Sequence, residues 1–409
     1  MNTFKTTLLT LFVSLSVWFI LPVDLELARK VPAFFAAISM LSMAAAMLIS
    51  CRTKWLDRLI GGIDKAYVWH KWLGITGVLG ASFHWLLVPG PAGNGIDPTF
   101  ADFGEEVGQW AMYGLILLGG ISMIRQIPYR IWYYTHMLMG PIFIISVYHT
   151  FFSDVPFSLT SVTGITLLFV STIGIVSWVY KAIFKKRSFC TYTVSDIKAI
   201  DNAVEVTLEA ESKSIDYQVG QFAYLDFNLD KASHFHPFTI TSHPCEQQLS
   251  FIIRNLGKHT QALQTQLVVG QKVTVDGGYG QLIRKKKPSQ PQVWLAGGIG
   301  ITPFISWIKA TASPKQEVHL FFVGRGKFYR LMVQKITELI DSKNIQLHVQ
   351  DNEQDRLSAD SISEKLSLPL SMYQVFGCGP TPMLNSLKEQ LVSKGLKPSH
   401  WHNENFVMR

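Results

Sequence analysis

The sequence predicts a multi-domain membrane protein: a six-helix transmembrane bundle, then an antiparallel β-barrel, then an α/β domain. Three observations carry this. Of 409 residues, 48% are hydrophobic, and the apolar runs crowd into the chain before residue 184. Four histidines, His70, His84, His136 and His149, stand in that half at intervals of 14 and 13 residues. After Arg187 the pattern changes to short strands with turn residues, and then to a buried strand running into a glycine turn.

Six apolar runs fall at residues 6–22, 32–50, 66–88, 109–124, 132–152 and 161–182, each near the length needed to span a bilayer. The first follows Lys5 and has the look of a signal peptide, but no small-residue cleavage site precedes Asp24–Glu26, so a retained helix is expected. Arg52, Lys54, Arg58 and Lys65 fill the second connection, Arg125 and Arg130 the fourth, and Lys181, Lys185, Lys186 and Arg187 follow the sixth run. Only Arg29 and Lys30 oppose them. The positive-inside rule then puts both termini, and everything after residue 187, in the cytosol of a cell with an inner membrane.

With that topology the third and fifth runs travel the same way. A helix rises about 1.5 Å per residue, so the histidines of each run lie roughly 20 Å apart, inside a hydrocarbon layer about 30 Å thick. His70 and His136 fall near the inner face, His84 and His149 near the outer one. Each pair can ligate one haem iron from both sides. A lone membrane histidine is as readily an interhelical hydrogen-bonding group; four at paired spacings favour ligation. At about 100° per residue, 14 residues return to nearly the same face, whereas 13 leave His149 well round the helix from His136. Gly140-Pro141 lies between them, and a proline kink is expected to correct the angle. Lys71 is placed to meet a haem propionate or to snorkel to the interface. Trp69, Trp72 and Trp85 read as an interfacial belt.

The net charge of +8 raises a nucleic-acid partner, but the basic residues sit mostly at helix ends and read as topology signals. Cys51, Cys190, Cys245 and Cys378 show no framework spacing and lie on the cytosolic side, so no disulfide is expected. The outer loop 89–108 holds Asp97, Asp102, Glu105 and Glu106 without Lys or Arg. It either steers a cationic acceptor or simply complements the inner positive charge.

Beyond residue 187, Cys190–Ser195, Ala203–Ala210 and Gln221–Phe227 read as barrel strands. His236-Pro237-Phe238-Thr239 follows. Ile253-Arg254-Asn255-Leu256-Gly257 with Thr260 comes next, offering a basic group, backbone amides and a hydroxyl to an anion. Gly277-Gly278-Tyr279-Gly280 supplies a tight turn, and Lys285, Lys286 and Lys287 before Pro288 mark a solvated boundary. Val293–Ala296 then runs into Gly297-Gly298-Ile299-Gly300-Ile301-Thr302-Pro303 and a helix, where glycines and a helix N-terminus favour a phosphate. His319–Val323 ends in Gly324-Arg325, and Gln374–Phe376 in Gly377-Cys378-Gly379-Pro380.

In this order, with the four histidines before them, these motifs resemble the NADPH oxidase and ferric reductase family, whose soluble part is ferredoxin-reductase-like. The resemblance covers almost the whole chain. It implies three domains: 1–187 holding two b-type haems, 188–288 a β-barrel for FAD, and 289–409 an α/β domain for NADPH. It places the Thr239 hydroxyl near flavin N5, with His236, Pro237 and Phe238 along the ribityl and pyrophosphate. Ile253, Arg254, Gly257 and Thr260 would serve the FAD pyrophosphate, and Gly278 stands where the family often has G-P-Y-G. Gly297, Gly298, Gly300, Thr302 and Pro303 match the nicotinamide-dinucleotide loop, and Arg325 would meet a 2′-phosphate, favouring NADPH over NADH. Cys378, Gly379 and Pro380 would flank the nicotinamide, and Phe406 would stack on the flavin.

The implied activity is electron transfer from cytosolic NADPH through FAD and the two haems to an acceptor on the outer side, oxygen or ferric iron. Cofactors carry such chemistry and the protein positions them. An electron-conducting subunit serving a periplasmic protein partner is the rival reading, and a haem sensor without turnover would leave the nucleotide motifs unexplained. With no calcium-binding loop in the sequence, constitutive activity is expected.

Overall fold

The computed structural model describes residues 3–89, 98–124, 126–153, 157–229, 235–246, 248–283, 290–311, 314–341, 343–351 and 356–404. It divides into two compact units, Met1–Thr53 with Lys65–Arg187, and Lys54–Asp64 with Ser188–Arg409.

The first unit is helical: α1 (Thr3–Ile20), α2 (Leu27–Ser50), then, beyond the short α3 (Lys54–Ile60) that belongs to the second unit, α4 (Ile63–Leu87), α5 (Pro98–Met123), α6 (Tyr129–Met137), α7 (Met139–Phe152) and α8 (Val162–Val179), which runs on into a π-helical turn, Tyr180–Phe184. Helix α2 packs on α8, and α5 on α7. The burial pattern is inverted relative to a water-soluble bundle. Ser39, Ser42, Ser171 and Ser177 are buried, while Phe12, Phe19, Leu117 and Phe169 are 64–77% exposed. Such a surface suits lipid, where helices associate through small and polar residues rather than through apolar burial. Ser39 on α2 accordingly donates to the Gly77 carbonyl of α4 at 2.7 Å.

Among the described residues, three helices are long and apolar enough to cross a membrane: Leu27–Ser50, Arg130–Phe152 and Val162–Phe184. Helices α1, α4 and α5 coincide with the remaining three apolar runs of the sequence. The fifth run is divided into two helices. It breaks at Leu138 between α6 and α7, three residues before Pro141, whose ring cannot donate to the Met137 carbonyl four residues back.

In the second unit, β1 (Cys190–Ile200), β2 (Ala203–Ala210), β3 (Phe222–Asp226), β4 (His236–Thr239), β5 (Gln248–Arg254) and β6 (Lys272–Tyr279) form one six-stranded sheet, order β4-β3-β6-β1-β2-β5, with α9 (Lys258–Gln266) between β5 and β6. Every pairing is antiparallel. The ladder is not a fully closed barrel: its two edge strands are joined past β4 by the Ile240–Phe251 bridge and by Thr241 N–H donating to the Ser250 carbonyl at 2.8 Å. Alternate residues, among them Tyr192, Val194, Val206, Leu208, Phe251 and Val275, fill its interior.

A second lobe follows. Strands β7 (Gln292–Gly297), β8 (Val318–Gly324), β9 (Gln346–Asp351), β10 (Gln374–Cys378) and β11 (Trp401–Asn403) make a parallel sheet in the order β11-β10-β7-β8-β9, interleaved with α10 (Thr302–Lys309), α11 (Gly326–Ile340), α12 (Ala359–Ser363) and α13 (Thr381–Ser393). All six residues of β7 are buried, because helices cover both faces of a parallel sheet. Trp294, Phe304, Trp307 and Phe322 pack on one face, and Val293, Leu295, Phe321 and Val375 on the other. The lobes are joined by hydrogen bonds from Gly220 N to Ser306 Oγ (2.9 Å) and from Trp307 Nε1 to the Val219 carbonyl (3.2 Å). A Lys335–Glu205 ion pair at 2.6 Å adds to them.

Candidate functional site

Two histidine pairs face each other across the membrane unit. The ring centroids of His70 on α4 and His136 on α6 are 5.9 Å apart. Those of His84 on α4 and His149 on α7 are 6.1 Å apart. In all four, Nδ1 is already engaged: His70 with the Ala46 carbonyl (2.9 Å), His84 with that of Pro32 (3.1 Å), His149 with that of Gly104 (3.0 Å) and His136 with Ser122 Oγ (3.1 Å). That fixes each ring and leaves Nε2 as the free nitrogen. A metal–imidazole bond is about 2 Å long, so one ion held between two such nitrogens sets the ring centres roughly 6 Å apart. The donor set and its spacing fit a bis-imidazole iron at each level.

The 13-residue interval between His136 and His149 spans the interruption at Leu138. The Met137 carbonyl, deprived of its helical partner by Pro141, accepts from Trp178 Nε1 at 3.4 Å. Gly140 leaves room for that indole, and a Cβ on Gly108 would collide with the His149 ring. Trp132 stacks on His136 at 5.1 Å. None of Trp178, Trp132 or Ser122 is distinguishable in the sequence from an ordinary membrane-helix residue.

In the soluble unit, His236, Pro237, Phe238 and Thr239 make up β4, the edge strand beside β3. The His236 ring stacks on His259 at 3.7 Å, and Thr239 is buried. Arg254 closes β5. Its Nε is buried without a partner among the described residues, and its guanidinium lies 5.2 Å over the Phe328 ring, with Nη1 beside Gly298 of the second lobe. A guanidinium with an unmet donor, reaching from the antiparallel sheet to the glycine turn, fits an anionic ligand.

Two expected contacts come out differently. Ile253 is 1% exposed in the sheet interior, because strand alternation turns it inward when Arg254 points out; only its backbone remains to meet a ligand. The Thr260 hydroxyl is absorbed in the cap of α9, accepting from Leu256 N–H (2.9 Å) and Gly257 N–H (3.1 Å) and donating to the Gly257 carbonyl (3.0 Å).

The glycine turns meet at the carboxyl ends of β7 and β10, neighbours whose connections leave in opposite directions, the usual place for a ligand in such a sheet. A Cβ on Gly300 would strike the Cys378 carbonyl, and one on Gly379 would stand 3.0 Å from the Gly297 backbone. Gly298 has φ +55°, and Thr302 and Pro303 open α10. Pro380 precedes α13. Arg325, with Lys327 and Arg330, is exposed at the end of β8, an open cationic edge. Cys378 is fully buried, and burial, with the Glu404 carboxylate adding to it, pushes its thiol well up; it stays a neutral thiol and not a nucleophile. Glu404, missed in the sequence, is 4% exposed and reaches Gly280 of the antiparallel sheet. Phe406, Asp97 and Lys285–Lys287 lie outside the described residues.

Residues 35–147 match the ferric reductase like transmembrane component and residues 186–301 an FAD-binding domain. The glycine betaine monooxygenase reductase subunit of Chromohalobacter salexigens is 27% identical over 206 residues, 46% of this chain and 56% of that protein. Respiratory burst oxidase homolog protein E of Arabidopsis thaliana is 26% identical over 271 residues, 53% of this chain and 27% of its own length. The chain thus spans only part of such relatives. A flavohemoglobin structure from Malassezia yamatoensis aligns over 92% of this chain and 95% of its own at 15% identity and TM-score 0.50, a likeness of fold alone. The chain carries a ferric reductase like transmembrane component followed by an FAD-binding domain, consistent with the NADPH oxidase and ferric reductase family.

Proposed function

We propose that this membrane oxidoreductase moves electrons from cytosolic NADPH, by way of FAD and two b-type haems, to oxygen or ferric iron on the outer side. The observation that carries the reading is the pair of facing imidazoles at two depths, 5.9 and 6.1 Å apart, with every Nδ1 occupied. His70 and His136 hold the inner haem, His84 and His149 the outer one, within six membrane-spanning helices whose loop charges put both termini inside. FAD, when bound, accepts hydride and releases single electrons to haem iron, which takes one at a time.

The protein's own residues bind and orient. His236 to Thr239, Arg254 and Gly277 to Gly280 at the end of β6 seat the flavin in a β-barrel domain. Gly297 to Pro303 and Cys378 to Pro380 bring the nicotinamide to it, and Arg325 selects the 2′-phosphate of NADPH. A relative named as a respiratory burst oxidase homologue supports oxygen as acceptor.

The test is anaerobic. NADPH is added to the FAD-supplemented protein, haem absorbance is followed, and then oxygen or a ferric chelate is admitted. Reduction followed by reoxidation with superoxide identifies an oxidase, and reoxidation by the chelate alone a ferric reductase. Discharge by neither would favour an electron-conducting subunit serving a protein partner. Failure of the haems to reduce would overturn the reading.

A further inference from the structure

Helix α3 comes from the connection between α2 and α4 of the membrane unit, yet it packs as part of the soluble unit. Asp57 is the reason to look there. It is 4% exposed, and its Oδ2 accepts from Gln281 Nε2 at 2.8 Å. Burial pushes its carboxyl up, while the Gln281 hydrogen bond and the amides of Gly280 and Ile63 pull it back. A carboxylate kept out of water at such a cost is tolerated where its hydrogen bonds hold something in place.

What it holds is the end of β6: Gly277, Gly278 and Tyr279 close that strand, Gly280 follows at φ +100°, and Gln281 is the next residue. The same helix reaches the other side of that strand end: Lys54 Nζ donates to the Asp216 carbonyl at 2.8 Å, and that carbonyl also faces Gly278 N–H at 3.5 Å. The chain leaves α3 immediately, because Gly61 and Gly62 adopt φ +84° and +128° and donate their amides to the Asp57 carbonyl at 3.0 and 2.9 Å. Asp57 therefore both ends its own helix and grips the end of β6 through its side chain. Trp55, Arg58 and Leu59, on the same short helix, are exposed.

We propose that Asp57 is a positioning residue for the flavin, holding the end of β6 and Gly280 through Gln281, so that the α2–α4 connection is a working part of the FAD seat. The inference rests on the FAD-dependent reading above. Its mechanism is indirect: Asp57 need touch no flavin atom, and a strand end freed from it at Gly280 and Gln281 samples more conformations, only some of which bind.

The test uses the full-length protein in lipid nanodiscs, titrated with FAD and followed by quenching of flavin fluorescence. Asp57→Leu is expected to weaken FAD binding about tenfold, the worth of one charge-assisted hydrogen bond. Asp57→Asn, which keeps an acceptor for Gln281, should restore most of the affinity, and Arg58→Ala should leave it unchanged. Should Asp57→Leu fail to fold, Gln281→Met breaks the same bond from the other partner and must show the same loss. Haem absorbance of the membrane unit should stay constant throughout, which separates a flavin effect from general unfolding. Equal FAD affinity in the unaltered chain, Asp57→Leu and Gln281→Met would overturn the proposal. An unaltered chain that binds no FAD would instead remove the functional reading, and this inference with it.

Discussion

Trp178 on α8 donates its indole N–H to the Met137 carbonyl, 3.4 Å away, which is the carbonyl that Pro141 leaves without a helical partner. A buried polar group in a membrane must be satisfied within the protein. The indole thus satisfies the backbone at the interruption between α6 and α7, the helices that carry His136 and His149.

Trp178→Phe keeps an aromatic ring but removes the donor. It should lower stability by about 1–2 kcal/mol, the cost of a carbonyl left unpaired. Pro141→Ala, by allowing a straight helix, should disturb the outer pair more than the inner one. Thermal melts with haem absorbance as the signal check both, and an unchanged outer-haem spectrum in Pro141→Ala would count against the kink.

His149→Ala and His84→Ala should each halve the haem content, leaving the inner pair His70 and His136 loaded. NADPH should still reduce the remaining haem while transfer to an outer acceptor stalls. Haem-to-protein stoichiometry by pyridine extraction decides it; loss of both haems from either variant would mean the two levels do not load independently.

Gly300→Ala places a Cβ against the Cys378 carbonyl, a backbone atom with nowhere to move. Overpacking of this kind costs about 1–3 kcal/mol. The melting temperature should fall and the KM for NADPH should rise.

Arg325→Ala removes an exposed cation from the end of β8. The KM for NADPH should rise about tenfold, consistent with one lost contact to phosphate, while that for NADH stays put. Steady-state kinetics with both nucleotides separate this from a general loss of activity.

Stability of the soluble unit should fall with acid in two stages. Glu317 loses solvation, but Ser367 Oγ (2.6 Å), Tyr373 Oη (2.7 Å) and His319 (2.6 Å) more than offset this and hold its carboxyl below the ordinary range. Burial, with His319 and Lys365 adding to it, pushes the His348 imidazole down. In both cases the unfolded chain binds more protons, so stability is complete above the ordinary value and drains as pH falls below about 6.5 for histidine and about 4.3 for glutamate. His348→Phe should flatten the upper stage and Glu317→Gln the lower one, read from tryptophan fluorescence melts between pH 7 and 4.

Much of this was legible in the residues. The apolar runs, the four histidines, the strand alternation from Cys190 onward and the glycine turn after Ala296 each report a local rule, and local rules need only neighbours in sequence. Ile253 and Thr260 show the limit. The motif around them reads as an anion site, but which atoms face outward depends on strand phase and on how the α9 cap spends its hydroxyl. Glu404 and Asp57 carried no local signal, since an acidic residue near a chain end or in a basic loop is ordinary until its burial is known.

By itself the sequence determined where the chain is apolar, at what spacing the imidazoles recur, and where backbone must turn tightly, because hydropathy, helical rise and the absence of a Cβ are properties of residues. The tertiary structure alone decided that His149 faces His84, that Trp178 satisfies the carbonyl freed by Pro141, and that Asp57 grips the end of β6 through Gln281. Those are contacts between residues 41 to 224 positions apart, and only packing, which pairs surfaces by shape and unmet hydrogen bonds, can choose among them.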